Sequence, residues 1–138
     1  MKFPYSQYVG PNGETIKRPT IAIWLKHSNK IINVEAVIDS GADFNIFPIE
    51  IAGYLDIKLA NRQKMSFQGA GSNPFTVYQS PSKITHMLRQ GGFRPIQWDS
   101  TVYFAELQLA ILLGNIGFLD QLSVTLNGKK GEITVERA

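Results

Sequence analysis

Short runs of alternating apolar and polar residues, cut by glycine, proline and Asn/Asp/Ser clusters, dominate the chain and predict many short strands rather than a helical bundle. Ile21-Ala22-Ile23-Trp24-Leu25 turns at Ser28-Asn29-Lys30 into Ile31–Ile38, the pattern of a hairpin. In the second strand Val34, Ala36 and Ile38 share one face at period two, while Val37 adds an apolar residue to the other, so both faces are expected to be buried just before Asp39. Gly10-Pro11-Asn12-Gly13 is a turn following an N-terminal arm that carries Phe3, Tyr5 and Tyr8. The arm packs either on its own domain or on a second subunit, and the pattern leaves both open. Pro48 suits the first turn of a helix, and Ile49, Ile51, Ala52 and Leu55 follow helical spacing, which predicts one short helix over 48–55.

Met65-Ser66-Phe67 and Phe75-Thr76-Val77-Tyr78 flank a glycine-rich segment and predict a long hairpin over about 65–80. Further strands are expected at 82–87, 93–98, 101–104 and 110–113, then a helical turn near 117–121. A last pair at 122–126 and 132–136 turns about Asn127-Gly128. No repeat, linker or low-complexity tract divides the chain, so residues 1–138 read as one all-β domain, a barrel or sandwich with one or two short helices.

Composition narrows the chemistry. The 138 residues are 43% hydrophobic, enough for one core. Cysteine is absent, which removes disulfide scaffolds, thiolate zinc sites and cysteine nucleophiles. His27 and His86 are the only histidines, so a three-histidine zinc site cannot come from one chain. His27 falls at a hairpin turn, where a solvated side chain is ordinary, and His86 has no better claim to catalysis. No metal or cofactor is expected. Trp24 and Trp98 lie in apolar strand contexts that suit core packing. The net charge of +3 is spread thinly, and the basic residues do not cluster with aromatics, so no nucleic-acid partner is expected. The longest nearly apolar stretch, Leu107–Leu113, includes Gln108 and falls far short of the roughly 20 residues of a spanning helix, so no membrane partner is expected either. The N-terminus lacks the apolar run of a signal peptide, and a cytoplasmic location is the expectation.

Among eleven carboxylates, Asp39 stands out because it directly follows an apolar strand and precedes Ser40-Gly41. An ionised carboxylate at the edge of a buried strand loses solvation, so it must be hydrogen-bonded, paired, or made to share a proton. Ser40 supplies a hydroxyl beside it, and Gly41 lets another backbone approach closely. The same triplet also suits a plain turn after a strand. Two features favour chemistry: Ile111-Leu112-Leu113 ends at Gly114 as a second buried strand, and the glycine-tipped hairpin lies between the two strands. Glu106 and Asp120 lack this strand-end context.

Val37-Ile38-Asp39-Ser40-Gly41-Ala42-Asp43, together with Ile111-Leu112-Leu113-Gly114, resembles the retroviral-type (retropepsin-like) aspartic proteases in a short, single-domain, prokaryote-like form. Gln68-Gly69-Ala70-Gly71 falls where that family carries its flap, so the resemblance spans residues 20–126. It implies a closed acid-protease β-barrel, a homodimer, and an extended peptide or unfolded protein as substrate. It implies further that Asp39 is the catalytic acid of an aspartic endopeptidase, with Ser40, Gly41 and Ala42 completing its loop. Asp43, Ile46, Gly69, Ala70, Gly71 and Leu112 fall at substrate-binding positions, and Gly114 supports the loop from beneath. Asn115 stands where the family often has arginine, so an Asp43–arginine pair is not carried over. The non-enzymatic alternative is a dimeric module of the same fold that grips extended peptides without cutting them.

Overall fold

The computed structural model describes residues 1–69, 73–106 and 110–138, and its regular structure is almost entirely β. Alternation becomes burial most clearly in β4 (Thr20–His27), where Ile21, Ile23 and Leu25 are at most 1% exposed and Trp24 turns the other way. A tight turn at Ser28-Asn29, with Ser28 at φ 54°, returns the chain antiparallel as β5 (Lys30–Ile38). Ala36 and Ile38 are buried, but Val37 is only half-buried. Its register partner is Leu112, which lines an open cleft, so that face of β5 is not fully covered as expected.

Next come β6 (Ile46–Pro48), the helix α1 (Ile49–Tyr54) and a 3₁₀ turn at Asn61–Gln63. The predicted hairpin forms from β7 (Lys64–Phe67) and β8 (Phe75–Gln79). Beyond it lie β9 (Ile84–Leu88), β10 (Ile96–Ser100), β11 (Tyr103–Ala105) and β12 (Ile111–Leu113). The chain closes on β13 (Leu122–Asn127) and β14 (Glu132–Arg137). The turn expected near 117–121 is present, with the Gln121 and Leu122 N–H groups donating to the Phe118 carbonyl at 3.0 and 3.2 Å.

Nine strands make one mixed sheet in the order β10-β9-β4-β5-β12-β6-β11-β8-β7. The sheet is open, so the expected closed barrel is not formed: among the described residues, β10 and β7 are its edges. In β7, Lys64, Met65 and Ser66 are exposed and only Phe67 turns partly inward. Its inward ring, Phe67, is engaged with Phe44, Phe75 and Tyr103 over the cleft rather than with β10.

The N-terminal arm resolves its alternatives in part toward its own domain. Strand β1 (Lys2–Pro4) pairs with β14 in a three-stranded sheet β1-β14-β13, and Phe3 and Tyr5 pack on the main core. A separate hairpin joins β2 (Ser6–Val9) to β3 (Thr15–Arg18), with the Arg18 guanidinium 5.2 Å from the exposed Tyr8 ring centroid. Among the described residues no helix is long and apolar enough to cross a membrane.

Candidate active site

Asp39 leaves β5 at the centre of the large sheet, one residue beyond the last buried side chain of that strand. Its N–H donates to the Leu113 carbonyl at 2.9 Å, continuing the parallel β5–β12 ladder. The chain then bends sharply: the Gly41 N–H donates to Asp39 Oδ1 at 2.9 Å and the Ala42 N–H to the Asp39 carbonyl at 3.1 Å. The half-buried carboxylate is thus oriented by its own loop, in the manner of an Asx turn. A Cβ at position 41 would lie 3.1 Å from Asp39 Oδ1, so glycine there spares the carboxylate a crowded neighbour.

The segment after β12 clamps this loop from beneath. The Asn115 N–H donates to the Ala42 carbonyl at 2.9 Å, Asn115 Nδ2 donates to the Ser40 carbonyl at 2.9 Å, and the Ile116 N–H donates to the Asp43 carbonyl at 2.8 Å. Asn115 therefore fastens the loop backbone. Gly114 is forced by proximity, because a Cβ there would meet the Phe44 and Ala42 carbonyl oxygens at 2.5 and 2.6 Å. Its N–H donates to Oδ1 of Asn45, a fully buried side chain, at 2.9 Å.

Asn45 leads into a buried polar network. Asn45 Nδ2 donates to the Gly117 carbonyl at 3.1 Å and faces His86 Nε2 at 3.4 Å. His86 Nδ1 is 2.8 Å from the Ile84 carbonyl, and Trp98 Nε1–H donates to the Gly117 carbonyl at 2.7 Å. The His86 and Trp98 rings stack at 5.3 Å. Burial pushes the His86 imidazole down from 6.5 to about 4, against weaker opposing effects of the Ile84 carbonyl and the Asp99 charge. The ring is therefore neutral near pH 7.

Above the loop opens a cleft of about 490 Å³. Asp39, Gly41, Ala42, Asp43, Ile46 and Leu112 form one side, and Gly69 lies on the opposing hairpin side. These predicted residues are brought together. Ser40 is exposed and is not among the lining residues, and Gly114 lies under the loop rather than in the cleft. Ala70 and Gly71 lie outside the described residues.

Phe44, Ser66, Phe67, Gln68 and Phe75 also line the cleft, a contribution that sequence reasoning missed. Phe67 stacks on Phe44 at 5.5 Å and meets Tyr103 at 4.8 Å, while Phe75 stands edge-on to it at 6.2 Å. These rings seat the hairpin on the residue five positions after Asp39. Asn45 and His86 were missed as well. A signal existed for His86: it alternates with Ile84 and Leu88, both fully buried, so period two already turned it inward.

Among the described residues no three His, Asp or Glu side chains are grouped to hold a metal ion. The chain matches no model of a known protein family and no curated protein. Chemically, the site offers one oriented carboxylate at a strand end, a bare glycine backbone beside it, a second carboxylate at Asp43, the polar side chains of Ser66 and Gln68 on the hairpin side, and apolar side chains from Ala42, Phe44, Ile46, Phe67, Phe75 and Leu112.

Proposed function

We propose that this protein is an aspartic endopeptidase of retropepsin type that works as a homodimer on extended peptides in the cytoplasm. The observation that carries the reading is the single oriented carboxylate of Asp39 in the floor of a cleft roofed by the β7–β8 hairpin. Cleaving a peptide with carboxylates needs one base toward water and one acid toward the carbonyl oxygen, and this chain has one Asp-Ser-Gly loop. A two-fold axis beside Asp39 supplies the second copy, since an isologous contact sets a residue against its mate.

Two carboxylates about 3 Å apart hold one proton between them. The ionised member takes a proton from water as the water oxygen attacks the peptide carbon, and the protonated member gives its proton to the carbonyl oxygen. Collapse of the tetrahedral species breaks the C–N bond, with a proton delivered to the leaving nitrogen. Substrate lies extended between the Gly41 loop and the hairpin, its backbone held by β-type pairing and alternate side chains set into pockets. Ala42, Phe44, Ile46, Phe67 and Leu112 make those pockets apolar, which favours hydrophobic or aromatic residues beside the cut bond.

The test is digestion of unfolded casein across pH 3–7, with and without pepstatin, by the wild type and by Asp39→Asn. Pepstatin-sensitive cleavage with a bell-shaped pH profile, lost in Asp39→Asn, is expected. Cleavage that survives the substitution overturns the assignment, and casein bound without being cut moves the reading to a peptide-gripping module.

A further inference from the structure

The loop that carries Asp39 does not rest on apolar packing alone, because its support passes through an uncharged polar relay with a fixed direction. Backbone groups dictate that direction. The Gly114 N–H is a donor, so the Asn45 atom facing it is Oδ1, and Asn45 Nδ2 must then face the Gly117 carbonyl and His86. The Ile84 carbonyl is an acceptor, so the ring proton of neutral His86 sits on Nδ1, leaving the Nε2 lone pair toward Asn45 Nδ2. Each polar atom of the relay is matched, and the buried side chains of the described residues leave no polar atom without a partner.

We infer that Asn45 and His86 are positioning residues for Asp39, holding its loop through Gly114. The inference rests on the proposed protease reading. Its mechanical step is short: Gly114 is pressed against the Ala42 and Phe44 carbonyls, and the adjacent Leu113 carbonyl accepts the Asp39 N–H. Movement of Gly114 is therefore movement of the Asp39 loop. A proton on His86 Nε2 would set donor against donor and turn the Asn45 amide, taking the acceptor away from the Gly114 N–H. Around the ring, Leu25 of β4, Phe47 of β6 and Trp98 of β10 are uncharged, and Asp99 is the carboxylate whose field reaches it. Asp99 itself accepts a hydrogen bond from the Thr85 hydroxyl at 2.9 Å.

Two measurements test this. In kinetics on a short peptide, Asn45→Ala is expected to lower kcat roughly 10- to 100-fold, the scale of a small misplacement of reacting groups, with kcat falling more than KM rises because no side chain lining the cleft is removed. His86→Gln, which keeps a neutral amide, is expected to recover most of the kcat lost in His86→Phe while keeping the acid limb set by the Asp39 pair, so that below pH 5 its kcat falls less steeply than that of the wild type. In the wild type, followed by NMR from pH 7 to pH 3, the His86 ring is expected to carry its proton on Nδ1 at neutral pH. The Gly114 amide resonance is expected to move with the His86 midpoint.

Cleavage by Asn45→Ala at the wild-type rate, or a Gly114 amide indifferent to the His86 titration, overturns the inference. A wild type that cuts nothing overturns the protease reading instead, and the NMR titration, which needs no activity, still decides whether the relay holds the loop.

Discussion

Substituting His86 with phenylalanine isolates how much acid sensitivity one buried imidazole imposes on the fold. In the unfolded chain this histidine titrates near 6.5, whereas burial holds it at about 4 in the folded protein. Above pH 6.5 both states are neutral and the group contributes its full stability. As the pH falls from 6.5 toward 4, the unfolded chain takes up a proton that the folded chain refuses, so stability is lost across that window and stops changing below it. A displacement of this size corresponds to about 3 kcal/mol, a sizeable share of the 5–15 kcal/mol typical of a domain. Urea unfolding, read by tryptophan fluorescence at pH 7.5, 6, 5 and 4, measures it. His86→Phe starts less stable because Asn45 Nδ2 loses a partner, but its stability is expected to fall less on acidification. The gap between the two midpoints should then narrow by roughly 1–3 M urea between pH 7.5 and pH 4. Parallel curves for the two proteins would refute the reasoning, because they would mean that the folded state accommodates the proton as readily as the unfolded one.

Two other substitutions probe the site mechanically. Gly114→Ala places a methyl group 2.5–2.6 Å from two backbone oxygens that cannot rotate away, so a loss of about 1–3 kcal/mol in thermal or urea stability is expected, with cleavage falling further than stability. Phe67→Ala removes the ring that meets Phe44, Tyr103 and Phe75; at roughly 1 kcal/mol per aromatic pair, it should loosen the β7–β8 hairpin and raise KM more than it lowers kcat, a split read from initial rates.

Where structure follows from neighbours along the chain, the sequence already displayed it. The β4–β5, β7–β8 and β13–β14 hairpins and helix α1 were legible because alternation, turn residues and helical spacing are all local signals. The place of Asp39 at a strand end was legible for a similar reason, as an acid set directly after apolar residues. Strands β1, β2 and β3 were not: Lys2–Pro4, Ser6–Val9 and Thr15–Arg18 bury little, and β1 owes its conformation to pairing with β14 at the other end of the chain. The open sheet was hidden likewise, since closure depends on whether β7 meets β10, a relation no local pattern encodes. Asn45 and His86 lie 41 positions apart, and only the folded sheet makes them neighbours. The aromatic seat of the hairpin joins Phe44 to Phe67 and Tyr103 in the same non-local way.

The parallel pairing of β5 with β12 also governs when the site comes into being. Its two halves belong to opposite halves of the chain, and no tight turn can join parallel neighbours, so the Asp39 loop lacks its floor until β12 has been synthesised and has threaded between β5 and β6. The β4–β5 hairpin can form early and carry Asp39 at its end, but as a loose carboxylate on a strand edge. The oriented acid is thus a product of completed folding, and a growing or partly unfolded chain does not hold it in place.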